Sequence, residues 1–323
     1  MTRLRVVFMG TPDFAAASLQ ALAECPEIEI PLVVCQPDKP KGRSPEPQPP
    51  PVKVLATRLG LPVYQPKSLR KGDAAEVLTA ARPDAMVVAA YGRILPAAVL
   101  AIPPHGCLNV HASLLPELRG ASPIQWAIVS GLARSGVSIM KMDEGLDTGA
   151  VLARAEVPIG VDDAAEALHD RLMALGAALL VPTLLAWTRG EVTPEPQDEA
   201  RATWAPILSR DAGRIDWTLP ARRVADLVRG LHPWPGSFTH WQGRLLKVFP
   251  PATVVPGTPG AVPGTVTAVG RDTLDVACGE GALRLGLLQL EGRKRLPVAA
   301  FLNGCPLVPG ERLGDLSDRG APA

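Results

Sequence analysis

Through the first half of the chain, apolar runs alternate with stretches of helical spacing. That is the pattern of buried strands joined by helices. Leu4 to Met9 is the first run and stops at Gly10-Thr11-Pro12-Asp13; Phe14 to Ala23 then carries helix formers at apolar spacing. Glu29 to Cys35 predicts a second strand, Val52 to Leu59 a helix, Pro62 to Tyr64 a short strand and Ala74 to Ala81 a helix. Ala85 to Ala90 is almost purely apolar, and Leu108 to His111 and Gly136 to Met140 are the next strands. Asp162 to Trp187 predicts helix, with Asp162 or Asp163 as cap and a kink or break at Pro182. This order predicts an α/β domain, Rossmann-like, with a parallel sheet and right-handed crossovers.

Arg189 to Ala205 is polar and proline-bearing and reads as a surface linker. From Leu208 the pattern changes. Ala221 to Leu231 has helical spacing. Short runs bounded by turns follow at Gly236–Trp241, Arg244–Phe249, Gly264–Val269, Thr273–Cys278 and Ala282–Leu290. Five short strands with glycine-rich turns predict a small β-barrel, OB-like in class. The expected division is a first domain over 1–189, a linker over 190–207 and the barrel over 208–323.

Composition narrows the function classes. The 323 residues carry a formal charge of +1, which excludes nucleic-acid binding by bulk charge alone. Residues 208–323 sum to +4 and the remainder to −3, so the barrel is the basic part. Cys25, Cys35, Cys107, Cys278 and Cys305 are scattered with no Cys-x-x-Cys pair, as expected of reduced thiols. The run Val6-Val7-Phe8-Met9 is too short for a secretory signal. The uncharged stretch Leu172 to Trp187 falls short of the roughly 20 residues that span a bilayer. The expectation is a cytoplasmic protein with no membrane partner.

Ligands of an open parallel sheet bind beyond the carboxyl ends of its strands. Gly10 to Phe14, Tyr91 to Pro96 and Asn109 to Pro116 should emerge there. The first segment lacks Gly-x-Gly-x-x-Gly, which disfavours a nicotinamide enzyme. Asn109 and His111, two apart on a strand end, point to one side. An amide and an imidazole facing one spot suit acid–base and oxyanion chemistry. The acidic, glycine-flanked loop Met142 to Gly149 offers a carboxylate to orient His111.

Several segments together resemble the folate-dependent formyltransferases. Asn109-x-His111-x-Ser113-Leu114-Leu115-Pro116, Arg119-Gly120-x-x-Pro123-Ile124 and Leu146-Asp147-Thr148-Gly149 carry the resemblance to the family. Met9 to Phe14, Gln36 to Pro40, Ile215-Asp216-Trp217 and Pro233-Trp234-Pro235 are most similar to its tRNA-acting branch. The resemblance covers almost the whole chain. It implies transfer of a formyl group from 10-formyltetrahydrofolate, a co-substrate, to the α-amino group of methionine on initiator tRNA. No metal is implied, and a monomer is.

The family's catalytic Asn, His and Asp fall on Asn109, His111 and Asp147. Its folate contacts fall on Ser113, Leu114, Leu115 and Pro116 and on Arg93, Ile94 and Leu95. Phe14 matches a residue lining the methionyl pocket. A basic loop that enters the tRNA acceptor end falls on Lys39, Lys41 and Arg43. Downstream, Ser44 to Pro51 departs from the family's more basic pattern, with Glu46 adding a negative charge. Glu117 and Trp126 stand where basic residues are common. Arg244, Lys247, Arg271, Arg293, Lys294 and Arg295 make RNA binding the economical reading of the barrel. Amino-sugar formyltransferases are the nearest alternative; they lack the Lys39 to Arg43 pattern.

Overall fold

Residues 3–40 and 46–314 are described by the structure, a computed structural model. Lys41 and Arg43 lie outside the described residues. The elements of the first half are β1 (Leu4–Gly10), α1 (Asp13–Glu24), β2 (Ile28–Glu29), β3 (Val33–Val34), β4 (Lys39–Pro40), β5 (Pro47–Gln48), α2 (Pro51–Arg58), β6 (Val63–Tyr64), α3 (Ala74–Ala80), β7 (Ala85–Ala89), α4 (Ala97–Leu100) and β8 (Cys107–His111). They continue as α5 (Pro123–Val129), β9 (Arg134–Lys141), β10 (Val151–Pro158) and α6 (Ala165–Thr188).

Val6 to Met9 of β1 and Ala85 to Val87 of β7 are wholly buried, as central strands covered on both faces must be. The sheet order is β10-β9-β8-β7-β1-β3-β6, with β2 beside the start of β1. The pairs β1/β7, β7/β8, β1/β3 and β3/β6 are parallel. The expected parallel sheet is therefore the centre of a mixed one, because β9 and β10 run antiparallel at one edge. The expected second strand is two short pieces, β2 and β3. Pro31 lies between them, and proline cannot donate to a ladder.

α6 is one continuous helix through Pro182, so the helix does not split there. Leu172, Leu180 and Leu184 are buried on one face of it. A Cβ on Gly176 would come within 3.0 Å of Val110, so the glycine lets the helix lie close on β8. Among the described residues, α6 is the one helix long and apolar enough to cross a membrane by length and composition. Asp163 does not open α6; its carboxylate accepts from the Gly160 amide at 2.6 Å in the turn before it.

The chain folds into two compact units. One is Met1–Pro123, Arg134–Pro158 and His169–Pro206; the other is Ile124–Ala133, Ile159–Leu168 and Ile207–Ala323. The second unit contains α7 (Ala221–Gly230), β11 (Ser237–Trp241), β12 (Arg244–Val255), β13 (Val266–Val269), β14 (Leu274–Ala277), β15 (Ala282–Leu290), β16 (Leu296–Pro297) and α8 (Val298–Gly304). Its antiparallel order is β11-β12-β15-β14-β13, with β16 on β15. The pairing register shifts at Pro250-Pro251, two residues without N–H groups. The stretch 310–314 bonds to Gly264 and Val266 on one side and to the His240 carbonyl on the other. That stretch links the two ends of the strand order, as an OB-like barrel requires.

Val224 and Val228 of α7 join Trp241, Leu246, Val248, Leu283 and Phe301 in the barrel's core. Asp226 is 1% exposed and accepts from Arg229 at 2.9 Å. The same guanidinium donates to the carbonyls of Gly160 and Asp163 at 3.1 and 2.8 Å, so this buried charge is paired on both sides.

Candidate active site

The segments following β1, β3 and β7 are tied together at the carboxyl edge of the sheet. The Thr11 hydroxyl and the Gln36 amide both donate to the Tyr91 carbonyl, at 3.1 and 2.9 Å. Gln65 donates to the Gln36 carbonyl and the Asp38 carboxylate, and Lys53 closes the group on Asp38 at 2.7 Å. The amide of Gln65 and the ammonium of Lys53 hold the Asp38 carboxyl below the usual range. Lys39, exposed on β4, donates to Gln36 at 2.7 Å.

β8 brings Asn109 and His111 to the same face, and antiparallel β9 delivers the 142–149 loop beside them. Asn109 donates to Asp147 Oδ1 at 3.3 Å. His111 is 5% exposed, with Nδ1 3.7 Å from Asp147 Oδ2 and Nε2 3.0 Å from the Leu118 carbonyl. Asp147 has φ +55°, in the left-handed region that Asp enters more readily than most residues. Its Oδ2 also accepts from the Gly120 amide at 2.9 Å. Asn109 and His111 thus face the one carboxylate of Asp147.

Ser113 is 1% exposed and donates to the Glu117 carbonyl at 2.5 Å. Ser138 donates to the Ser113 carbonyl and accepts from the Leu115 amide, which seats the loop on β9. The Leu115-Pro116 peptide is cis. Leu115 is buried with Met140 and Val151, while Leu114 is half-buried. Arg93 donates to the Lys67 carbonyl. Leu95 belongs to the core under the sheet, whereas Ile94 is 68% exposed. Phe14 is buried edge-on to His169 at 5.8 Å between ring centroids. Glu117 meets Arg201 at 3.3 Å on the surface.

Sequence reasoning missed the contribution of residues 195–205. Val151 and Glu195 exchange two backbone hydrogen bonds at 2.8 Å. Arg154 joins the Leu115 carbonyl to Glu195. The backbone of Arg119 pairs with Thr203 and Ala205. The Arg119 side chain is 1% exposed, donates to Gln197 at 3.0 Å and grips Glu199 with two bonds of 2.9 and 2.7 Å. That paired hydrogen bond holds the Glu199 carboxyl below the usual range. Gln197 in turn donates to the carbonyls of Asp147 and Gly149 at 2.8 and 2.7 Å. Local patterning contains no sign of this, since the bonds span about fifty to eighty residues of chain.

An amide and an imidazole on one strand end, with a carboxylate brought to them by the loop after β9, fit a group-transfer site of the formyl transferase type. The chain belongs to that family: residues 3–184 match the formyl transferase model and residues 207–306 match the model of the formyl transferase C-terminal domain. It is 48% identical over 314 residues to methionyl-tRNA formyltransferase of Citrifermentans bemidjiense, covering 97% of this chain and 98% of the relative. Among solved structures, it resembles WlaRD, a sugar 3N-formyl transferase crystallised with dTDP and 5-N-formyl-THF. The TM-score is 0.64 at 12% identity, over 91% of this chain and all of the other. It also resembles HypX from Aquifex aeolicus in complex with tetrahydrofolic acid, with a TM-score of 0.60 at 20% identity. That likeness covers 93% of this chain, which spans about half (47%) of HypX.

Proposed function

We propose that this chain transfers the formyl group of 10-formyltetrahydrofolate to the α-amino group of methionyl initiator tRNA, making N-formylmethionyl-tRNA for translation initiation. The observation that carries the reading is 48% identity over nearly the full length to a methionyl-tRNA formyltransferase, with Asn109, His111 and Asp147 brought together. In this reading it works in the cytoplasm as a monomer, with the folate and the charged tRNA as partners.

The residues account for the chemistry. Leu118's carbonyl only accepts, so His111 Nε2 donates to it, and in the resting state of this reading Nδ1 is the ring's base on the Asp147 side. The attacking amine is used neutral; such groups titrate near ~7.7–8.0. Its nitrogen bonds to the formyl carbon, and the carbonyl electron pair moves onto oxygen. Asn109 has two amide hydrogens. One goes to Asp147, and the other is free for the oxyanion. His111 Nδ1 takes the proton from the new ammonium and delivers it to N10. The oxyanion collapses and the carbon–N10 bond breaks. Asp147 stabilises the imidazolium between the two transfers.

Ser113 to Pro116 and Arg93 to Leu95 form the folate side of the site, with Ile94 as its exposed apolar contact. Phe14 lines the methionyl side. Lys39, Lys41 and Arg43 contact the acceptor end of the tRNA. The test is formylation of initiator methionyl-tRNA by the purified protein with 10-formyltetrahydrofolate, against elongator methionyl-tRNA and an amino sugar. Formylation of the initiator tRNA alone supports the reading. Turnover on the amino sugar instead would replace it.

A further inference from the structure

We propose that Gln197, held by buried Arg119, is a positioning residue for Asp147, so that the linker between the two family-matched regions sets the geometry of the transfer site. The inference rests on the formyl-transfer reading above. The amide of Gln197 donates to two carbonyls, of Asp147 and Gly149, and its oxygen accepts from Arg119 Nε. Only one orientation of the amide satisfies all three partners: nitrogen toward the carbonyls, oxygen toward the guanidinium.

Arg119 has no freedom to follow a moving Gln197. It is 1% exposed, its guanidinium is bound at both terminal nitrogens by Glu199, and its backbone is paired with Thr203 and Ala205. The residue after it, Gly120, gives its amide to Asp147 Oδ2. One strap therefore fixes the main chain of Asp147 through Gln197, while the Arg119-Gly120 turn fixes its carboxylate. A left-handed residue depends on such support, because its peptide can relax toward commoner conformations. Rotation of that peptide would carry the carboxylate away from His111 Nδ1 and Asn109 Nδ2. The tether from Glu195 to Val151 survives loss of Gln197, so removing the amide frees the loop without cutting the strap.

The experiment compares Gln197→Ala and Gln197→Glu with the parent and repeats Gln197→Ala in an Asp147→Asn background. Gln197 is only half-buried, and Gln197→Glu keeps its size while removing both donors. The expected result is a loss of about 10²-fold in kcat for either variant, with KM for folate and tRNA within about twofold, because misplacement of one group by 1 Å has that effect. In the Asp147→Asn background the further loss should be under about twofold, since the two substitutions remove one function. Full kcat in the folded variants, or a loss that multiplies with Asp147→Asn, would overturn the proposal.

A substrate-free measurement separates this from failure of the formylation reading. The ring resonances of His111, assigned with His111→Asn, should move in Gln197→Ala while those of His232 and His240 stay in place. Unmoved His111 resonances would overturn the positioning role even if no acceptor has been found. A parent that leaves methionyl-tRNA untouched while His111 responds to Gln197→Ala would overturn only the substrate.

Discussion

His111 Nε2 lies 3.0 Å from the carbonyl oxygen of Leu118, and that contact orients the ring. A carbonyl has no hydrogen to give, so the imidazole is the donor. Nδ1 faces the Asp147 carboxylate at 3.7 Å, beyond hydrogen-bond range. The contact is possible because Leu118 sits in the left-handed region at φ +59° and its amide is tied to the Thr203 hydroxyl at 2.8 Å.

Asn109→Ala removes the free amide hydrogen assigned to the oxyanion. Loss of such a donor typically costs ~2.7–4 kcal/mol, or about 10²–10³ in kcat. Single-turnover formylation should show that fall, with circular dichroism and folate binding retained. A folded Asn109→Ala protein at parental rate would remove Asn109 from the mechanism.

Acid should loosen the strap. Arg119 depresses the Glu199 carboxyl, and Arg154 depresses that of Glu195. Folded values below the unfolded value of about 4.3 mean stability that is present above that pH and lost as pH falls through the folded values. Thermal melts from pH 6 to pH 3 should fall less steeply in Glu199→Gln than in the parent.

The thiols titrate in the opposite sense. Burial raises Cys35 to about 11 and both Cys107 and Cys278 to about 12. The unfolded chain ionises first, near about 8.5, so the stability these groups contribute is full below that pH and lost as pH rises through 11–12. At pH 8 a chromogenic disulfide should label Cys25 fast and Cys35, Cys107 and Cys278 only on unfolding, because Cys25 alone of the five is not buried.

Gly149 has no room for a side chain. A Cβ there would lie 1.8 Å from the Lys141 carbonyl oxygen. Gly149→Ala must therefore push the 142–149 loop off β9. A loss of about 1–3 kcal/mol in a urea titration is expected, with a drop in kcat as Asp147 moves.

In the sequence Arg43 follows Lys39, which sits on β4, and it is assigned to the tRNA in the proposed function. Arg43→Ala should raise the tRNA KM and leave folate affinity alone. The tRNA KM should also rise steeply with salt in the parent, more than in the variant, since each neutralised phosphate contributes to that slope. An unchanged tRNA KM would remove Arg43 from the interface.

Much of the fold was legible because it rests on local pattern. Val6 to Met9 and Ala85 to Ala89 are apolar without interruption, as only strands covered on both faces can be, and both are central in the sheet. The misreadings have local causes of another kind. Pro31 split a strand that hydrophobicity alone would have continued. Pro182 does not split α6, whose apolar face packs on β8 across Gly176. Antiparallel β9 could not be told from a parallel strand, because direction leaves no mark in an apolar run.

The sequence by itself determined the alternation of strands and helices through the first half, the run of short strands after residue 208, and the choice of Asn109, His111 and the 142–149 loop as the candidate site. Periodicity and short motif spacing are properties of neighbouring residues, and they survive without a fold. Only the tertiary structure decided that Asn109 and His111 face one carboxylate, that His111 Nε2 meets the Leu118 carbonyl, and that a stretch read as a linker holds the 142–149 loop. Those facts depend on partners 38, 7 and 50 residues apart meeting within hydrogen-bond range. Hydrogen bonds are too short-ranged to leave a trace in sequence spacing at such separations.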